Sequence, residues 1–229
     1  MILEDCLYIL KYYSEVEKES RRILETIPYK ENNISAEIPS IAPIIVESGS
    51  LIDTIYQSKK DKRKIFNYYC EEFSIIDSVA VFIDHPLRLI NPFKKCFQDN
   101  IFCEPTWWNA YNGLKHSRLD NIDKSNLENL INIVCALFLV ISQDEDFFES
   151  LLIKDYARTR FAIDHIKKYK SDIYKREKCS KNKQVCFETE MFFTEIGLNT
   201  SILHDPYKYR NPAVTTKYLY RYWPTDHDD

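Results

Sequence analysis

Residues 125 to 142, Ser-Asn-Leu-Glu-Asn-Leu-Ile-Asn-Ile-Val-Cys-Ala-Leu-Phe-Leu-Val-Ile-Ser, constrain this chain more than any other stretch. Ser125 followed three residues later by Glu128 fits a capping box that opens a helix. From Ile133 to Ile141 nine apolar residues follow without a break. That is about half the length of a membrane span, so a buried helix is expected. A helix apolar on nearly every side has to be surrounded, which places it at the centre of a bundle.

The rest of the chain supplies the surrounding helices. Leu3, Cys6, Leu7, Leu10, Tyr13, Val16, Ile23 and Ile27 recur at helical spacing and predict a helix over 3–27, stopped by Pro28. Asn32, Asn33, Pro39 and Pro43 mark a loop over 29–45. A second helix is expected over about 44–60 and a third over 64–83, ended or kinked at His85-Pro86. Residues 84–105 read as irregular, and 144–170 as one or two further helices. The last part changes character. Residues 186–192 and 216–222 alternate or nearly alternate aromatic and β-branched residues, as short strands or extended arms do.

With only three Gly in 229 residues, a β-rich fold with many tight turns is not expected. The expected fold is therefore mainly α, a bundle of about five to seven helices with an irregular or partly β C-terminal arm. A helical domain is expected over 1–170, followed by a basic linker and aromatic-rich extension over 171–229. Residues 154–183 carry eleven Lys and Arg against four Asp and Glu, in a chain of formal charge −4. Such a segment suits either a solvated face or an anionic partner such as RNA.

Neither GxGxxG nor GxxxxGK[ST] occurs, so no Gly-rich phosphate loop is present. The seven Cys are odd in number and show no CxxC spacing, which points to reduced thiols rather than a disulfide framework or zinc site. No cofactor, resident metal or membrane association is expected. Met1 leads into Glu4 and Asp5 rather than a basic and apolar leader, so a cytoplasmic location is expected.

One short segment concentrates the groups that do chemistry: Thr106-Trp107-Trp108-Asn109-Ala110-Tyr111-Asn112-Gly113-Leu114-Lys115-His116-Ser117-Arg118. Pro105 and an N-cap at Thr106 predict a helix over 107–116. Trp108, Asn112 and His116 then share one face, and Trp107, Tyr111, Leu114 and Arg118 another. Metal-independent RNA cleavage needs a base for the 2′-hydroxyl and a cation at the phosphate. His116 fits the base, Lys115 or Arg118 the cation, Asn112 the group that orients the imidazole, and Trp108 or Tyr111 a stacking surface for a base. The same residues also fit a structural role. Trp107 and Trp108 would anchor the core, His116 would end the helix bonded to buried backbone carbonyls, and Asn112 would bond a neighbouring helix.

This segment resembles a motif of HEPN-like helical proteins of bacteria. The resemblance implies an all-α bundle, commonly a homodimer. It also implies binding of RNA or nucleotide, metal-independent endoribonuclease activity in a defence or toxin system, or a non-catalytic scaffold role. The family motif is an Arg, a polar residue, a few further residues and a His. Asn112 and His116 occupy the polar and His positions, the Arg position falls on Tyr111, and Arg118 lies beyond the His.

Overall fold

The computed structural model describes residues 1–59, 79–81, 88–93, 97–98, 101–154, 157–159, 185–189 and 191–196. Among them are five α-helices: α1 (Leu3–Thr26), α2 (Ala42–Gln57), α3 (Thr106–His116), α4 (Leu127–Gln143) and α5 (Phe148–Ile153). The chain is mainly α, and α4 lies at its centre. Leu130, Ile131 and every residue from Ile133 to Ile141 are buried.

Helix α1 starts with Glu4 and Asp5 in its first turn, where carboxylates complement the helix dipole. It buries Cys6, Ile9, Leu10, Tyr13 and Val16 along one stripe. Pro28 follows, and the loop after it is tied to the start of α4. Ile38 N–H donates to Ser125 O at 2.7 Å, and Glu128 N–H donates to Ile34 O at 3.1 Å. A 3-10 turn, Pro39–Ile41, leads into α2, whose buried face holds Ala42, Ile45, Ser48, Gly49, Ile52 and Ile55. At the far end of α2, Lys59 Nζ meets Asp144 at 2.6 Å and Asp146 at 3.0 Å, fastening α2 to the residues that follow α4.

Short strands accompany the helices among the described residues. β1 (Val79–Val81), β2 (Arg88–Ile90), β5 (Ala157–Thr159), β6 (Val185–Glu188) and β7 (Phe192–Ile196) form an antiparallel sheet in the order β2-β1-β7-β6-β5. β3 (Phe97–Gln98) and β4 (Ile101–Phe102) form a separate pair. The sheet meets the helices where Phe192 stacks on Phe138 of α4, ring centroids 5.4 Å apart.

Several local expectations need correction. The expected third helix runs into β1, because Val79-Ala80-Val81 pairs on both sides, with β2 and with β7; its other residues lie outside those described. Strand pairing of a β-branched stretch overrides the helical spacing. Residues 88–90, 97–98 and 101–102 likewise pair as strands rather than forming irregular chain, and within the helical stretch expected over 144–170 the strand β5 follows α5, while 160–170 lie outside the described residues. The cap of α4 is Asn126 rather than Ser125: the Asn126 side chain accepts from Asn129 N–H at 3.0 Å. The cap of α3 is Pro105, with Thr106 already helical. Residues 186–188 and 192 do lie in strands, whereas 216–222 and nearly all of the basic segment fall outside the described residues. β6 and β7, from the expected C-terminal extension, pair with β5 and β1 from the preceding part of the chain. Among the described residues no helix is long and apolar enough to cross a membrane.

Candidate functional site

Helix α3 is inserted between the other elements by its aromatic first half. Trp107 is buried, its indole N–H donating to Pro92 O at 2.9 Å, so the one polar atom of a large apolar side chain is satisfied. Phe93 and Trp108 meet it edge-on, with centroids 5.6 and 6.1 Å away. Trp108 in turn packs on Tyr111 at 4.6 Å. Trp108 is 5% exposed and Tyr111 0%. Both rings considered as stacking surfaces are thus inside the core, and Tyr111 offers no face to a base.

Tyr111 sits directly on α2 at Gly49. A Cβ at Gly49 would lie 2.3 Å from two carbons of the Tyr111 ring, so only glycine lets the two helices approach this closely. The Tyr111 hydroxyl lies at the edge of the core, donating to Asp53 Oδ2 at 2.8 Å and accepting from Lys115 Nζ at 2.7 Å. Lys115 Nζ is 3.5 Å from the same Asp53 oxygen. Asp53, Tyr111 and Lys115 therefore form one polar knot joining α2 to α3. Burial, and then the bond to Asp53, push the Tyr111 phenol above its ordinary range against the opposing effect of Lys115. The bond to Tyr111, aided by the Asp53 charge, raises the Lys115 amine as well.

The other candidates point elsewhere. Asn112 is half-buried, and His116 and Arg118 are exposed. Among the described residues none of these three side chains has a hydrogen bond or ion pair. Helix α3 runs through Gly113 to His116 without a break, so Tyr111 and His116 stay on different sides of it. Gly113 has a packing role: a Cβ there would meet Asn121 Oδ1 at 2.6 Å. Asn121 donates to Ser117 O at 2.8 Å and accepts from Lys124 Nζ at 2.7 Å, holding the turn after α3 against the helix end.

The expected site thus divides. Tyr111 and Lys115 come together with Asp53, whereas His116, Asn112 and Arg118 do not join them, and among the described residues neither the backbone bond expected of a structural His116 nor the inter-helix bond expected of Asn112 is made. Asp53 and Gly49 were not singled out in the sequence. Gly49 did carry a signal, since a glycine inside a helix destabilises it unless close packing requires one. Asp53 carried none that spacing could reveal. Among the described residues no group of three His, Cys, Asp or Glu side chains could hold a metal ion. No family model, curated protein or solved structure matches this chain.

Proposed function

We propose that this chain is a non-catalytic helical interaction module of HEPN-like type, acting as a homodimer or as a scaffold for a partner, in which Trp107, Trp108, Tyr111 and Lys115 are structural while Asn112 and His116 stay without a partner among the described residues. One observation carries this reading. Tyr111, at the position where the family motif has its Arg, is wholly buried and bonded to Asp53 and Lys115. An Arg in that position would stabilise charge on a phosphate; a buried phenol beside a carboxylate does not. Lys115 is drawn into the same knot, so its charge is already answered by Asp53. The end of α3 supports the reading further. Cations there complement the negative end of the helix dipole, which disfavours an approaching phosphate.

A second reading keeps RNA or nucleotide binding, with metal-independent cleavage as its strongest form. It draws on the solvent-open His116 and Arg118. There His116 would accept the 2′-hydroxyl proton, Asn112 would orient the imidazole, and Arg118 would meet the phosphate.

The deciding experiment combines light scattering for oligomeric state with binding and cleavage of a mixed-sequence labelled RNA without added metal. The module reading expects a dimer or a partner-dependent assembly and no cleavage. Cleavage that disappears in a folded His116→Ala protein would overturn it in favour of the RNase.

A further inference from the structure

Glu17 is 4% exposed and lies on the buried face of α1. A carboxylate is rarely placed in a core without a purpose, because removing it from water is costly unless donors surround it. Among the described residues its Oε1 is approached by Tyr13 O–H at 3.3 Å, Met191 N–H at 2.9 Å and the Thr189 hydroxyl. Tyr13 belongs to α1 itself. Thr189 and Met191 belong to the turn between β6 and β7, more than 170 positions away in the chain.

That turn is organised around the same contact. Thr189 N–H donates to Phe192 O at 2.9 Å, and Phe192 N–H donates to Thr189 Oγ1 at 3.1 Å. Closing the turn and binding Glu17 therefore use one side chain. The turn then seats Met191 and Phe192 in the core, with Phe192 on Phe138 of α4. We propose that Glu17 is a latch that holds the β6–β7 turn on the helical bundle, so that the turn is released together with the sheet in which β7 pairs with β1 and β6 with β5, while the helices stay folded. Release would uncover the Phe138 face of α4. The latch does not depend on the functional reading of α3.

Hydrogen exchange of the full chain, followed by mass spectrometry, tests this. Glu17→Ala is expected to speed exchange of 185–196 by roughly tenfold to a hundredfold, the effect of losing hydrogen bonds to a charged acceptor. Exchange across α4 should stay as in the wild type. Glu17→Gln keeps the size of the side chain and an acceptor oxygen but removes the charge, leaves the turn's own Thr189–Phe192 bond in place, and is expected to give the same pattern at smaller size. It carries the test alone if Glu17→Ala does not fold. Equal acceleration in 185–196 and α4, or no acceleration in 185–196, would overturn the latch.

Discussion

The two ends of α3 are a few residues apart and have opposite surroundings. Its first two turns place Trp107, Trp108, Ala110 and Tyr111 in the core, while His116 and the following Arg118 lie in solvent. Lys115 is the join between them: the residue is exposed, yet its amine reaches Tyr111 and Asp53. A run of about a dozen residues that reads as one constellation is thus two neighbourhoods. The difference teaches that adjacency of aromatic and polar groups in sequence does not make a site. What decides is whether a polar group is already satisfied within the fold.

The comparison breaks most visibly if the aromatic end does not bear on stability. Trp107→Ala removes a buried indole and orphans the Pro92 carbonyl, and such truncations cost roughly 3–5 kcal/mol. For a chain of this length the midpoint of thermal unfolding should fall by roughly 10 °C. A fall of about 2 °C or less would mean that Trp107 is not an anchor.

Gly49→Ala is next in size, and its sign is the test. Inside a helix this change ordinarily stabilises by roughly 0.5–1 kcal/mol. Here the new methyl would collide with Tyr111, so a loss of roughly 1–3 kcal/mol is expected, measured by denaturant unfolding. Shortening the ring as Tyr111→Ala in the Gly49→Ala background should recover part of that loss, relative to the effect of each change alone. A stabilised Gly49→Ala protein would separate α2 from α3 and remove the knot from the account.

How much of this was legible beforehand follows the range of each interaction. The central helix α4 was readable because its apolar run is continuous, and Pro28 marked the end of α1 because proline ends helices locally. Caps were misplaced by one residue at both α3 and α4, since neighbouring polar residues compete for the same backbone donors. The sheet was mostly hidden. β1 resembles the end of an amphipathic helix until its partner, Phe192-Phe193, arrives from more than a hundred positions away. The Tyr111–Asp53 bond spans 58 positions, and nothing in the spacing of either helix declares it. That Trp107 and Trp108 are anchors was one of the readings open from residue type; which of Lys115, His116 and Arg118 would find a partner was not.

Tyr111→Phe sharpens the comparison at its join. The ring stays, but Asp53 loses its donor and Lys115 its acceptor, for a cost of about 0.5–1.5 kcal/mol. The knot also has a signature at high pH. Tyr111 and Lys115 both have pKa values raised above their ordinary 10.0 and 10.5. Each then contributes stability that is complete below its unfolded value and disappears as pH rises through its folded value. Wild-type stability measured across the alkaline range should fall faster than that of Tyr111→Phe, which has no phenol to ionise at this position. Parallel curves would show that Tyr111 does not titrate differently on folding.

His116→Ala should have the smallest effect on stability, and for that reason it is the cleanest probe of function. The side chain is exposed and without a partner among the described residues, so the change in stability should stay within about 0.5 kcal/mol. A variant that folds like the wild type can be compared directly in RNA assays. In the module reading, RNA binding and cleavage are absent from both proteins. If both bind RNA, the dependence on salt shows whether phosphate contacts are involved, since affinity falls as counterions compete. Binding weakened by His116→Ala and by added salt would move the exposed end of α3 from a helix terminus to a ligand site, with Tyr111, Asp53 and Lys115 as the frame behind it. Binding that falls with salt but ignores His116 would place the anionic contact elsewhere in the chain and leave α3 as structure at both of its ends.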